Sequence, residues 1–419
     1  LASVDCTPAA APDIPTLLAA IAARAEQTPP GRWIRATGYR ETELRERRHP
    51  TRWELDAAAP AHPVRLIHAG GHGCVLNSRA LALVGITTES EEPAGGYIGR
   101  RLEDGEPDGL LLGVNDLVER AVPLPAYDDL RAQVAVANSR LLAAGVTAVH
   151  DMGVRNDAAT LALFERLRRD GALTVDVAAA LGIAPFLDGN HPDGWHGMVK
   201  IVIEELGEER RPRGAELMAQ IRAVHQRGAR AAVHCIGRAA VADAIAAYAA
   251  ALGGPAPERR HRLEHAAICT PALAQRAARL GLLAVCNPGF IRVNGDRYLR
   301  ELPSDELPWL HNPATFLRAG IRAAIGSDAP VAPPNALGSI ATATLRTTER
   351  GARIPGDAAT MHEAFLAHTV YAAFAGEQEG IRGSIRPGAV ADLVRLPEAA
   401  MRGGEEQLRL LQAGSWRDV

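Results

Sequence analysis

An α/β fold of parallel strands covered by helices is predicted from three observations. Seven short apolar runs follow one another from about residue 146: "VTAVHD", "LTVDVAAAL", "MVKIVIE", "RAAVHCI", "HRLEHAAI", "LLAVCNP" and "RAAIGSD". Each is separated from the next by a segment long enough for a helix, usually closed by Gly. And the runs lack the apolar–polar alternation of a half-exposed strand, so both of their faces are expected to be buried.

Taken in order, "LRAQVAVANSRLLAAG" leads into "VTAVHDMG", and "AELMAQIRAVHQRG" into "ARAAVHCIG". "TPALAQRAARLG" carries its own boundaries, with Thr270 as N-cap, Pro271 at the first helical position and Gly281 just past the end. It leads into "LLAVCNPG", and "PATFLRAG" into "IRAAIGSDAP". A closed eight-stranded barrel needs one more strand. "PVRLIHAGG" at 63–71 is a candidate for it; otherwise the first strand is expected to precede Leu1. Residues 28–125, rich in Pro, Gly and charge, read as an irregular insertion. "GIRGSIRPGAVADLVRLPE", after about 380, reads as a turn into a short strand that begins a small β-rich tail.

Composition excludes several classes. With 47% hydrophobic and 23% charged residues the 419-residue chain is of ordinary globular type, and a net charge of −3 leaves no electrostatic footprint for nucleic acid or anionic lipid. No apolar run reaches the roughly 18 residues of a membrane span. The opening "LASVDCTPAAAPDIPTLLAAIAARAEQ" has no basic leader and does not read as a signal peptide. Five scattered cysteines without a CxxC pair fit reduced cytoplasmic thiols rather than a disulfide framework. A soluble cytoplasmic protein acting on a small molecule is expected, with no nucleic acid or membrane partner; a homo-oligomer stays open.

The chemistry is expected where polar residues interrupt the buried runs. Lys200 stands between Val199 and Ile201, where an ammonium is costly unless it is paired or loses its charge. His234, His265 and Asp328 stand near the ends of later runs. The steps from 200 to 234 and from 234 to 265 are one βα unit each, and that from 265 to 328 is about two, so all four residues come to one rim at the carboxyl ends of strands. Two imidazoles, a carboxylate and a lysine made anionic by modification suit a divalent metal. Singly, each has a plainer use: a strand-end His in a structural hydrogen bond, an Asp after Gly-Ser as a cap, a strand Lys paired with Glu204 or Glu205. Independent structural residues have no reason to recur at this period.

Together with these residues, "MVKIVIEE", "AAVHCIG", "HRLEHAAIC", "NPGFIRVNGDRYL", "AAIGSDAPVAPP", "GRWIRATGYRETEL", "HAGGHGCVLNSRAL" and "GSIRPGAVADLV" resemble the amidohydrolase superfamily. More narrowly they are similar to the branch that includes N-substituted formamide deformylases. The resemblance implies a distorted TIM (β/α)8 barrel over 1–382, with the insertion at about 28–125, and the C-terminal part of a small β-sandwich over 383–419. It implies one or two divalent metals, most often zinc. Lys200 matches the position of a lysine carboxylated by CO2, His234 and His265 match metal ligands, and Asp328 matches a ligand that also moves protons between water and the leaving amine. The activity implied is hydrolysis of a C–N bond in an amide, formamide or cyclic amide. His72 and Asn77 in "GGHGCVLNS" resemble a loop of the substrate pocket, and Asn287 and Tyr298 are further candidates for its lining; each also has a local structural reading. His150 and Asp151 end the first run, either near a metal or capping the next helix.

One departure stands out. The family's first strand ends in a His-x-His pair, and no HxH occurs in the chain. The expectation is that the pair lies upstream of Leu1 and that the chain from Leu1 onward holds at most the more buried metal firmly. The rival reading is a silent family fold without catalysis. A metal-dependent phosphoesterase is a weaker third, since no Gly-rich phosphate loop or Arg cluster accompanies the ligands.

Overall fold

The computed structural model describes residues 3–71, 73–92, 96–123, 125–192, 195, 197–206 and 209–396. The chain divides into two compact units, Leu1–Gln133 and Val134–Val419.

The first unit corrects the expectation of an irregular insertion at 28–125. Its strands are β1 (Val4–Asp5), β2 (Ile34–Tyr39), β3 (Val64–His68), β4 (Gly73–Leu76), β5 (Tyr97–Arg100) and β6 (Pro107–Leu112). They form one sheet in the order β1-β2-β3-β4-β6-β5. β1, β2 and β3 run parallel, and the pairings from β3 onward are antiparallel. The period of two sorts the side chains to two cores. Val64, Leu66 and Val75 face Leu17, Ile21 and Leu55, while Cys74 and Leu76 face Ile98, Leu111 and Val118. "PVRLIHAGG" is therefore a strand, but of this sheet: β3 pairs with β2 and β4 and supplies no eighth barrel strand.

In the second unit all seven apolar runs are strands. They are β7 (Ala148–Asp151), β8 (Asp176–Ala179) with β9 (Leu181–Gly182), β10 (Met198–Val202), β13 (Arg230–Cys235), β14 (Arg262–His265), β15 (Leu283–Cys286) and β16 (Ala323–Ile325); a hairpin of β11 (Glu204–Leu206) and β12 (Glu209–Arg211) follows β10. β8 and β9 are halves of one run parted by Ala180, whose N–H still bonds the Asp151 carbonyl. β8 pairs with β7, and β9, β10, β13, β14, β15 and β16 are successive neighbours, every pairing parallel.

This confirms an α/β fold with parallel sheets. No strand among the described residues joins β7 to β16, and no closed sheet is formed. Residues 383–396, expected to enter a short strand, form none; the rest of that expected sandwich, 397–419, lies outside the described residues.

β10 and β13–β16 are buried on both faces, as their composition demands, whereas β7 and β8 are half-buried. Val199, Ile201, Val233, Leu263 and Ala284 pack outward on helices through Leu217, Ile221, Val241, Tyr248 and Leu273. The opposite face carries Met198 and Ala232, Leu283 and Ala324, and in the same rows Lys200, Arg262 and Glu264. Helix Pro271–Arg279 has the boundaries its sequence announced, with Thr270 accepting from the Leu273 N–H. Gly281 lies at φ 73°, where a β-carbon would also strike Pro257, so both backbone and packing require glycine. No described helix is long and apolar enough to cross a membrane.

Candidate active site

Lys200 is 6% exposed, in the middle of β10. Burial pushes its pKa down, opposed by the charges of Glu264 and Asp328 and assisted by Arg262. The expected partners on its own segment do not serve it. Glu205 instead accepts from the backbone N–H groups of Ile236 and Gly237 at 2.9 and 3.0 Å, at the start of helix Arg238–Leu252.

Glu264, two residues after Arg262 on the same face of β14, is the buried carboxylate whose charge Lys200 feels. Arg262 Nε donates to its Oε1 at 2.6 Å, with both side chains almost fully buried. Burial alone would raise the Glu264 pKa, but Arg262 and then Lys200 hold it down to about 2. Arg262 also donates to His150 Nδ1 at 3.1 Å and to the Ala375 carbonyl at 3.4 Å. His150, at the end of β7, is thereby fixed as an acceptor at Nδ1, and burial together with Arg262 pushes its pKa down to about 4. Its neighbour Asp151 accepts from the Gly153 N–H and from Asn156, closing a turn.

At the rim, β14 breaks its alternation. His265 and Ala266 both have left-handed backbone, at φ 63° and 40°, a conformation that costs non-glycine residues free energy and is concentrated at functional sites. After Glu264 a regular strand would turn His265 outward; instead its ring meets that of His234 on β13, centroids 4.5 Å apart and edge to face. Asn287 Nδ2 donates to the Gly326 carbonyl at 3.0 Å, which turns its Oδ1 toward His265 Nδ1 at 2.8 Å. His265 therefore carries its proton on Nδ1 and presents a lone pair at Nε2, the tautomer a metal-ligating imidazole needs. Burial, with Lys200 beside it, lowers the His265 pKa and favours the neutral ring.

Asp328, after β16, is also left-handed at φ 53°. It is exposed, and its charge is felt by both Lys200 and His265. Among the described residues no three His, Cys, Asp or Glu side chains gather closely enough to hold a metal unaided. His234 and His265 are the two imidazoles that lie together here, with Lys200 close enough to bear on the charge of His265.

A cavity of about 1270 Å³ within the second unit reaches Lys200, His265 and Asp328. Lys200, Arg262, Glu264, His265, Asn287 and Asp328 line one part of it; Val149, Val177, Ile325, Leu337 and Phe365 line another.

The expected pocket residues fare differently. Asn77 is wholly buried and fully used. Its Oδ1 accepts from the Val64 and Ala80 N–H groups and its Nδ2 donates to the His62 carbonyl, so it caps helix Ser78–Val84. Asn287 lines the cavity, but both ends of its amide are engaged, and it orients His265. Tyr298 packs with Ile291, Leu307 and Leu310, its ring 5.9 Å from that of His311, and does not line the cavity. His72 lies outside the described residues. The pairing of Arg262 with Glu264 escaped the sequence reading, although its signal is of the same kind as that of Lys200: in "HRLEH" two opposite charges stand two residues apart on one face of a buried run.

A sequence pattern of the amidohydrolase family matches residues 2–413. The chain is 30% identical to the N-substituted formamide deformylase of Arthrobacter pascens, over 98% of its own length and 82% of that protein's. It is 28% identical to Protein LONG AFTER FAR-RED 3 of Arabidopsis thaliana, over 87% and 70% respectively. In structure it is similar to an uncharacterized metal-dependent hydrolase from Pyrococcus horikoshii OT3, with a TM-score of 0.72 at 20% identity over 94% of this chain and 81% of that one, a likeness of fold.

Proposed function

We propose, from the premise that this chain belongs to the amidohydrolase family, that it is a metal-dependent hydrolase cleaving the C–N bond of an amide, formamide or cyclic amide. The observation that carries this reading is a desolvated lysine on the same sheet face as two facing imidazoles, one of them locked by Asn287 with Nε2 free. The relative named as a formamide deformylase supports the amide class, and the five buried free thiols support a reducing, cytoplasmic setting.

The donors suit one divalent cation, zinc by ligand preference. His234 and His265 would hold it through nitrogen. Lys200 would contribute as a carbamate: its ammonium loses a proton, the amine lone pair bonds the carbon of CO2, and a second proton leaves from nitrogen, giving –NH–COO⁻. Burial favours the first of these steps by disfavouring the ammonium. A divalent cation there supplies Lewis acidity toward the substrate carbonyl and toward water. Asp328, exposed at the rim, takes the proton of the attacking water and hands it to the departing amine. The apolar part of the cavity receives the substituents of the amide.

The test is a zinc titration of the metal-depleted chain in bicarbonate, followed by a turnover screen over N-formyl and N-acyl amines. Saturable uptake with amine release is expected. A rival reading, a family fold without catalysis, draws on the exposure of Asp328, the proposed proton carrier; uptake without turnover across the screen would favour it. The Asn287 contact makes a further prediction. Asn287→Leu frees the His265 tautomer and should weaken zinc binding by about 10–100-fold with the fold intact, measured by competition with a chelating dye.

A further inference from the structure

We infer that the Arg262–Glu264 pair is a charge-balancing device for the cation site, with Glu264 as the positioning residue that cancels a fixed positive charge beside the place a dication occupies. The inference rests on the metal-dependent reading above and concerns residues that reading does not use.

Arg262 is 1% exposed and fully committed, to Glu264, to His150 Nδ1 and to the Ala375 carbonyl. It cannot swing away, and it stays charged in any protein environment. It is level with Lys200 across the sheet, through Ala232, and three residues before His265 on its own strand. A buried, fixed cation at that range repels a second one. Glu264 cancels it by direct contact rather than as a ligand, since its Oε1 is held by Arg262 at 2.6 Å.

Other charged groups near His150 carry partners of their own. Arg230 pairs with Glu377 at 3.1 Å, and Arg382 pairs with Asp176 and Asp392. Carboxylation of Lys200 would make the local charge more negative by two. Relative to the parent, Glu264→Gln removes one negative charge, Arg262→Met removes one positive charge, and the two together leave the sum unchanged.

Zinc affinity of the full-length chain, measured by dye competition in bicarbonate buffer, tests this across four proteins whose folding is checked by circular dichroism and gel filtration. Glu264→Gln should bind zinc about 10–100-fold more weakly than the parent, the range seen when groups just outside a metal's ligands are removed. Arg262→Met should bind at least as tightly as the parent, and the double variant should return to within about threefold of it, whereas a purely structural strut would leave the double variant no better than Glu264→Gln. Should Glu264→Gln fail to fold, Arg262→Met against the double variant decides: the double must bind more weakly, and equal affinities overturn the inference. Parent-like affinity in Glu264→Gln, or no recovery in the double variant, also overturns it while leaving the metal reading intact. A parent that takes up no zinc overturns both.

Discussion

Lys200→Ala is expected to hold less than about a tenth of the parent's zinc after dialysis and to lose turnover by about 10³-fold or more. The lysine is 6% exposed, and in the proposed reading its carbamate brings an anion to the two imidazoles from inside the sheet, where the Glu264 carboxylate is already held by Arg262. Without it, two neutral rings and an exposed aspartate remain, and among the described residues no three His, Cys, Asp or Glu side chains gather closely enough to hold a metal. The fold should survive, because Glu264 keeps Arg262 as its partner. Alanine also leaves a space shaped for an alkyl chain, so acetate or propionate should restore part of both zinc and turnover. Lys200→Met fills that space with an uncharged chain and should gain nothing from added carboxylate. Undiminished zinc in folded Lys200→Ala would remove the lysine from the site.

Mild acid should destabilise the chain steeply. His261 and His311, 0% and 2% exposed, have pKa values pushed down to about 3, and His150 and His368 to about 4, in each case chiefly by burial. His261 is held neutral by geometry as well: its Nδ1 accepts from the Ala231 N–H at 3.0 Å, so its Nε2–H donates to His225 Nδ1, also at 3.0 Å. An unfolded histidine titrates near 6.5. Above that value both states are neutral and these residues have no effect on stability. As the pH falls below 6.5 the unfolded chain takes up protons that the native chain cannot, so stability falls until the pH passes the folded values near 4 and 3.

At pH 5 each such histidine costs about 2 kcal/mol, and the four together about 8 kcal/mol, comparable with the whole stability of a domain. Urea unfolding at pH 7.5 and 5.5 checks this. The midpoint should drop sharply, with an uptake of several protons on unfolding, and an uptake below one proton would show that these rings are not held neutral.

How much of the molecule is legible in its sequence depends on how far each interaction reaches along the chain. The parallel strands of the second unit were legible because burial writes itself into continuous apolar runs, and the helix at Pro271 because its cap, its proline and its terminal glycine are all local. Lys200 was legible for the same reason, as a charge inside such a run. The order of the first unit's sheet was not. Its strands are short, and β4 reaches past β5 to pair with β6, a choice that no periodicity within either strand records.

"PVRLIHAGG" shows the difference most clearly. Its own residues make it a strand, but whether it joins a barrel or a mixed sheet depends on which edges are offered to it, and β2 and β4 offered theirs. Asn77 and Asn287 look alike as loop asparagines, yet one caps a helix under a buried strand and the other fixes the proton of His265; the acceptors and donors that separate them lie on other segments. Apolar period, capping and the costly placement of a charge are properties of neighbouring residues, and the amino-acid order carries them outright. Hydrogen-bond partners, tautomers and the influence of the Glu264 charge on Lys200 arise between segments far apart in the chain, and they exist once packing has closed the distance and excluded the water that would otherwise satisfy the same groups.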